Sequence, residues 1–172
     1  MLIENKMNQV TVLLTHGYIG FGKTTVAKKF EELGYIRFTH DEYMSRLFGD
    51  HPSNDEFKSN YHKATELILK EAKEYVKNNE SIILDFGFWS KSSREWIYSL
   101  VKSWQKELNV KINVLWLNIQ CDIEVARQRC LNRDNNRKSG ELWVPISVFD
   151  GKLHKFEPMT PEESPSQIIV KN

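Results

Sequence analysis

The stretch LLTHGYIGFGKTTVAKKF, Leu13–Phe30, decides how the rest of the chain is read. From Gly17 to Thr24 it spells Gly-x-x-x-x-Gly-Lys-Thr. Glycines at 17, 20 and 22 allow turns that a side chain would obstruct, so backbone N–H groups can close around phosphate oxygens. The apolar run VTVLLT (Val10–Thr15) reads as a buried strand leading in. A helix from about Lys23 to Leu33 leads out and adds its positive N-terminal end. In that setting the loop Gly17, Tyr18, Ile19, Gly20, Phe21, Gly22, Lys23, Thr24 and Thr25 is expected to hold a nucleoside triphosphate. Lys23 would reach the β- and γ-phosphates and Thr24 would offer its hydroxyl to Mg²⁺. The competing reading, a glycine-rich turn that matches by accident, is disfavoured by the strand and helix on either side. The loop does not say whether the terminal phosphate goes to water or to a hydroxyl on a second molecule.

With 172 residues the chain has the length of one domain, expected to span 1–172, and can bury a sizeable core. Twenty-four lysines and arginines against 23 carboxylates leave a formal charge of +1, so global charge points to no nucleic-acid or membrane partner. No apolar stretch is long enough to cross a bilayer, and MLIENKMNQ lacks a signal-peptide core. Cys121 and Cys130 form no CxxC pair and read as small packing residues, so a cytoplasmic protein with reduced thiols is expected. The histidines at 16, 40, 51, 62 and 154 show no ligand spacing, and no structural metal is expected.

Apolar β-prone runs alternate with helix-period segments. YIRFT (Tyr35–Thr39), SIILD (Ser81–Asp85) and VKINVLWLN (Val110–Asn118) read as further strands, and SQIIV near the C-terminus as a fifth. Between Ser53 and Val76 a helix would place Phe57, Tyr61, Ala64, Ile68, Ala72 and Tyr75 on one face. Trp96, Leu100, Trp104 and Leu108 repeat near helical spacing and are expected in the core rather than as a base-stacking platform. A helix from about Asp122 to Asn132 runs into a polar, arginine-bearing segment, and VPISVFDGKLHKF predicts another helix with Pro145 near its first turn. This alternation predicts an α/β fold, a five-stranded parallel sheet with helices on both faces. Ligands in such sheets sit at the carboxyl ends of the strands. The glycine loop, His40-Asp41-Glu42 and Asp85-Phe86-Gly87 all lie there.

Asp41, just beyond the second strand, is placed to take the proton from an attacking hydroxyl and hold it in line with the transferring group. An N-cap is the plainer alternative for Asp41. Glu42 is expected to point away, and Arg46 is a candidate for orienting an acceptor. Asp85 ends a buried strand. It could hold a Mg²⁺-bound water, face the acceptor, or orient an arginine. Phe86, Phe88 and Trp89 are as much core as pocket wall. Arg129, Arg133 and Arg137 are four apart, with Arg127 beside them; on a mobile lid, roughly 129–145, they could neutralise transition-state charge and exclude water. A solvated basic face is the alternative. No guanine-specifying motif appears.

With the loop, THDEYM, LDFGFW and these arginines in order, the chain resembles small P-loop kinases of the zeta-toxin and polynucleotide-kinase type, with chloramphenicol phosphotransferase more distant. The likeness runs from Val10 to about Val170 and is closest to stand-alone bacterial ATP-binding proteins grouped by name as AAA-type ATPases. It implies a P-loop NTPase fold with ATP and Mg²⁺ as cofactors. Asp41 then matches an acceptor-activating aspartate, Lys23 and Thr24 the phosphate and Mg²⁺ residues, Arg133 and Arg137 a pair of lid arginines before Val-Pro, and Asp85 a strand-end aspartate on the acceptor side. Polynucleotide 5′-hydroxyl kinases carry an arginine three residues beyond the aspartate, where this chain has Met44, with Arg46 two further on. The expected activity is transfer of the γ-phosphate to a small-molecule hydroxyl. A polynucleotide 5′-hydroxyl kinase and a slowly hydrolysing nucleotide switch are the alternatives.

Overall fold

The computed structural model of the protein describes residues 9–49, 54–135, 144–164 and 166–172. Its elements run β1 (Gln9–His16), α1 (Lys23–Glu32), β2 (Ile36–Phe38), α2 (His40–Phe48), α3 (Asn54–Lys77), β3 (Ile82–Gly87), α4 (Lys91–Leu108), β4 (Lys111–Gln120), α5 (Ile123–Asn135), α6 (Ile146–Lys152) and β5 (Gln167–Lys171). The five strands form one sheet in the order β2-β3-β1-β4-β5, and every neighbouring pair is parallel. The expected α/β fold, a parallel sheet with helices on both faces, is therefore present.

Strand alternation divides the core. Val10, Val12 and Leu14 of β1, with Ile82, Leu84, Val114 and Trp116, face α3 and α4 on one side. Leu13, Ile83, Leu117 and Ile119 face α1, α5 and α6 on the other, where Ala27, Ala126 and Phe149 pack. Central strands buried on both faces need near-continuous apolar runs, which is why VTVLLT and SIIL could be recognised from sequence.

Two helical faces differ from the expected ones. In α4 the buried residues are Arg94, Ile97, Val101 and Trp104. Trp96 is 48% exposed, so only Trp104 of that pair belongs to the core. Ile97, Val101 and Trp104 satisfy helical spacing as well as the Trp96 series does, and the sheet selected the branched aliphatic stripe. In α3 the buried line is Ala64, Ile68, Ala72 and Val76, with Tyr75 at the boundary, exposed and packed edge-on against Phe38. Among the described residues no helix is long and apolar enough to cross a membrane.

Helix ends fix where the strand-end loops point. Thr39, not Asp41, is the N-cap residue of α2, which leaves the Asp41 carboxylate on the first turn without a capping bond of its own. Ser90 caps α4 by accepting from Ser93 N at 3.1 Å. Asp122 Oδ1 accepts from Glu124 N and Val125 N at 2.8 and 3.1 Å, so the aspartate at the expected start of α5 is its cap.

Candidate phosphoryl-transfer site

The glycine loop is pinned from below. Tyr18 is fully buried, its hydroxyl donates to Phe149 O at 2.6 Å, and its ring packs against Phe21, Trp89, Phe149 and Phe156. Of Tyr18 only the backbone is therefore offered to a ligand. Gly20 has φ +76°, and a Cβ there would stand 2.6 Å from Ala126 O of α5. A close helix contact and a left-handed backbone both demand glycine at this position. Gly87, φ +103°, closes the other side: its carbonyl accepts from Gly17 N at 3.2 Å, and a Cβ would press on Trp89 Nε1, Gly17 O and Lys23 Cε.

Two buried side chains brace this frame. His16, at the end of β1, meets Phe88 O through Nδ1 at 3.1 Å and receives Met159 N–H on Nε2 at 3.1 Å. Accepting on Nε2 requires the proton on Nδ1, so the ring is a neutral tie between β1, the loop after β3 and the C-terminal segment. Burial lowers its pKa to about 4, which keeps it neutral. Arg94, 3% exposed, grips the Glu163 carboxylate with Nε and Nη2 at 2.7 and 2.9 Å. Its Nη1 donates to the carbonyls of Phe88, Trp89 and Glu157 at 3.2, 3.0 and 3.0 Å.

Lys23, Asp85 and Asp41 form one electrostatic cluster above this frame. Lys23 Nζ donates to Tyr18 O at 2.8 Å. Burial pulls its pKa down, and the charges of Asp85 and then Asp41 oppose that pull. Asp85 is buried; its Oδ1 is 3.5 Å from the Thr15 hydroxyl, while Oδ2 has no hydrogen-bond partner. Burial raises its pKa, with Lys23 first and then Thr24, Arg37 and Thr15 favouring the charged form. Asp41 is open to the cleft. Desolvation there and the Asp85 charge push its pKa up, against Lys23 and Arg133.

An orphaned carboxylate oxygen beside the Thr24 hydroxyl is a donor set that fits Mg²⁺, which takes one or two protein oxygens and keeps several waters. Asp85 also faces a guanidinium: the Arg37 side chain is 5% exposed and its Nη1 stands 3.8 Å from Asp85 Oδ2. Arg37 is held there by Glu31, 3.1 Å from Nε, and by Glu42 on Nη2. Glu42 thus holds an arginine that faces Asp85. A charge within the short strand YIRFT, beside a buried strand, was the available signal for Arg37. Arg94 left a weaker one, a charge three residues before Ile97 on the buried stripe.

The remaining candidates are distributed as follows. Arg133 is exposed and its charge is felt at both Lys23 and Asp41. Arg129 Nη1 reaches Gly20 O at 3.4 Å, so it lies against the loop. Arg127 instead binds Asp150 of α6 through two 2.8 Å bonds. Arg137, with the rest of residues 136–143 in the segment assigned to a lid, lies outside the described residues. Arg46 sits over the Tyr43 ring and 3.8 Å from Glu71, five residues round α2 from Asp41. Phe88 is buried in the core and Trp89 packs on Tyr18, whereas half-buried Phe86 lies against His40 with ring centroids 4.0 Å apart. Buried Cys130 packs beneath Gly20, in line with a packing role, and Cys121 is also a free thiol.

A family model described as AAA domain matches residues 12–159. No curated protein sequence matches this one. Among solved structures, a candidate kinase from Chloroflexus aurantiacus aligns with a TM-score of 0.68 at 13% identity, over 94% of this chain and 88% of that one. A fungal RNA kinase aligns at 0.64 and 14%, over 96% and 76%. Kti12 from Chaetomium thermophilum, in complex with ADP-AlF3, aligns at 0.60 and 15%, over 93% and 88%. At such identities the likeness establishes the shared fold.

Proposed function

Since the chain belongs to the AAA domain family and has the P-loop kinase fold, we propose that it transfers the γ-phosphoryl group of ATP to a hydroxyl of a small molecule. The observation that carries this reading is Asp41. It is a carboxylate on the first turn of α2, uncommitted to capping, that shares one electrostatic field with Lys23 across the cleft. A nucleotide switch has no use for a carboxylate at that place; an acceptor kinase requires one.

The roles follow from position. Backbone N–H groups of Gly17–Thr25 and the head of α1 hold the triphosphate. Lys23 balances charge at the β- and γ-phosphates. Thr24 and Asp85 would hold Mg²⁺, which when bound supplies charge neutralisation between phosphate oxygens. Asp41 accepts the acceptor's hydroxyl proton as that oxygen bonds to the γ-phosphorus and the bond to the ADP oxygen breaks. Arg129 and Arg133, on the helix lying against the loop, offset charge that spreads over the equatorial oxygens. Arg37 keeps a positive charge at Asp85. The engagement of Arg46 by Glu71 and the near-neutral charge of the chain favour an uncharged acceptor over a polynucleotide.

The deciding measurement is ADP release with ATP and Mg²⁺ across sugars, nucleosides, hydroxylated antibiotics and 5′-hydroxyl oligonucleotides. Stimulation by a small neutral compound is expected. Stimulation by oligonucleotides alone, falling steeply with salt, would replace the small acceptor with a nucleic acid. Flat release across the panel, with nucleotide-dependent partner binding, would favour a switch.

A pH profile tests the base independently. Asp41 works ionised, and its pKa is raised, so kcat/KM is expected to fall as pH drops through a value above the ordinary ~3.9 of an aspartate. Arg133 favours the ionised form. Arg133→Ala is therefore expected to move that acid limb to higher pH as well as slow the reaction. A slower enzyme whose limb stays where it was would remove Arg133 from the field of Asp41.

A further inference from the structure

The glycine loop is also held from outside, by a residue to which the phosphate chemistry assigns no part. Asn172 follows β5, and its backbone N–H donates to Gln120 O at 2.9 Å, one step beyond the Gln120–Lys171 register of β4 and β5. Anchored there, its side chain reaches the loop: Nδ2 donates to Phe21 O at 2.7 Å. A carbonyl only accepts, so the amide must present its nitrogen to it. The same nitrogen rests on Gly22, where a Cβ would stand 2.6 Å from it. Asn172 is therefore seated on the peptide that joins Phe21 to Gly22. That peptide is trans, with its N–H opposite its C=O, so bonding Phe21 O to Asn172 turns the Gly22 N–H away from the C-terminal strand. Among the described residues no backbone carbonyl takes that N–H. Gly20 and Gly22 lie at φ +76° and +92° with Phe21 of the ordinary hand between them, an alternation by which successive N–H groups face one anion. Asn172 itself is exposed, so replacing it removes no core contact.

We propose that Asn172 is a positioning residue for phosphate binding: by holding Phe21 O it keeps the Gly22 N–H aimed at the polyphosphate of a bound nucleotide. Glycines at 20 and 22 leave this part of the loop free to take either hand. A peptide that rotated there would turn its carbonyl oxygen toward the anion in place of its N–H. The Asn172 bond removes that alternative before the ligand arrives, so less ordering is left for the ligand to impose. The effect falls on affinity for phosphates and not for the base, because the group being oriented is a phosphate-binding N–H. This inference rests on the reading of the loop as a triphosphate site, and adds to it the residue that holds the last turn before Lys23.

The test measures Kd for ATP, inorganic tripolyphosphate and adenosine with wild type, Asn172→Ala and Asn172→Leu, the last keeping a bulk close to asparagine's without its donor. Both variants are expected to bind ATP and tripolyphosphate about 2–10-fold more weakly, the worth of one hydrogen bond, with adenosine unchanged. In two-dimensional amide spectra the wild-type Gly22 proton is expected to shift downfield as tripolyphosphate is added, and to shift less in Asn172→Leu at saturation. ATP and adenosine weakened together, with tripolyphosphate unchanged, would make Asn172 a base contact. Wild-type affinity in Asn172→Leu would reduce its part to packing on Gly22. Weaker tripolyphosphate binding with the Gly22 response intact would make it a direct phosphate contact. A lower melting temperature with all three ligands weakened alike would mark a structural role. Each of these results overturns the inference and leaves the phosphate-loop reading standing. Wild-type protein that binds neither ATP nor tripolyphosphate overturns that reading, and the inference with it.

Discussion

Asp41→Asn is expected to reduce phosphoryl transfer by roughly 10²–10⁴-fold, the usual contribution of a positioned general base, while ATP binding stays close to that of the wild type. The replacement is isosteric and keeps a hydrogen-bonding group in the same place on α2. It removes the negative charge and the capacity to take the acceptor's proton. No capping bond is lost, because Thr39 and not Asp41 is the N-cap residue of α2. Nucleotide affinity should hold or rise slightly, since a carboxylate no longer opposes the anionic γ-phosphate. Measuring kcat with saturating acceptor, and nucleotide Kd by calorimetry, separates the two effects. Transfer at the wild-type rate would sink the assignment of Asp41 as base. Equal loss of transfer and of nucleotide binding would show that the residue supports the phosphate loop instead.

Arg94→Ala carries the largest expected cost in stability, about 3–5 kcal/mol, the range for removing one partner of a buried ion pair. Its guanidinium is 3% exposed and satisfies five acceptor contacts: two on Glu163 and one on each of three carbonyls. Truncation removes the donor to the Glu157 carbonyl and to Glu163 Oε2, while Phe88 O keeps His16 Nδ1, Trp89 O keeps Glu157 N–H and Glu163 Oε1 keeps Thr160 N–H. The melting temperature should drop by roughly 6–20 °C for a chain of this size. Arg94 chiefly, through its hydrogen bonds, holds the Glu163 carboxyl below the usual range. The stabilisation from that depressed pKa is therefore complete above the unfolded glutamate value of about 4.3 and is lost as pH falls through the folded one. An Arg94→Ala melting curve superimposable on the wild type would show that water replaces the guanidinium at little cost. Since Phe88 and Trp89 follow Gly87, whose carbonyl holds Gly17, the same substitution should also loosen the phosphate loop.

Sequence reading reached the donor half of the site because that half is local. The strand, the glycines, Lys23 and Thr24 fall within one continuous segment, and each requirement of phosphate binding maps to a residue type at a fixed spacing. The rule that ligands sit at strand carboxyl ends was enough to place Asp41 and Asp85 at the same edge, and the strand order puts β3 next to β1. The two core faces were legible wherever both sides of a strand had to be apolar. On α4 they were not, because Trp96 and Ile97 both fit a helical stripe and only packing against the sheet chooses between them.

What the chain order and residue types determined by themselves is the fold and the loop proposed to hold the phosphates: alternating periodicities point to one parallel sheet, and the glycine spacing singles out the turn between β1 and α1. What only the tertiary structure decided is how the other charges and polar groups are spent. Arg37 is drawn to Asp85, Glu42 to Arg37, Arg46 to Glu71, Arg127 to Asp150 and Arg94 to Glu163. His40 is likewise held by groups 21 and 25 residues away, stacked on the Tyr61 ring and bonded to the Thr65 hydroxyl. A charged or hydroxylated side chain has the same sequence signature whether it meets solvent, substrate or another side chain. The difference lies in the few ångströms that separate it from a partner distant in sequence, and only the folded chain sets that distance.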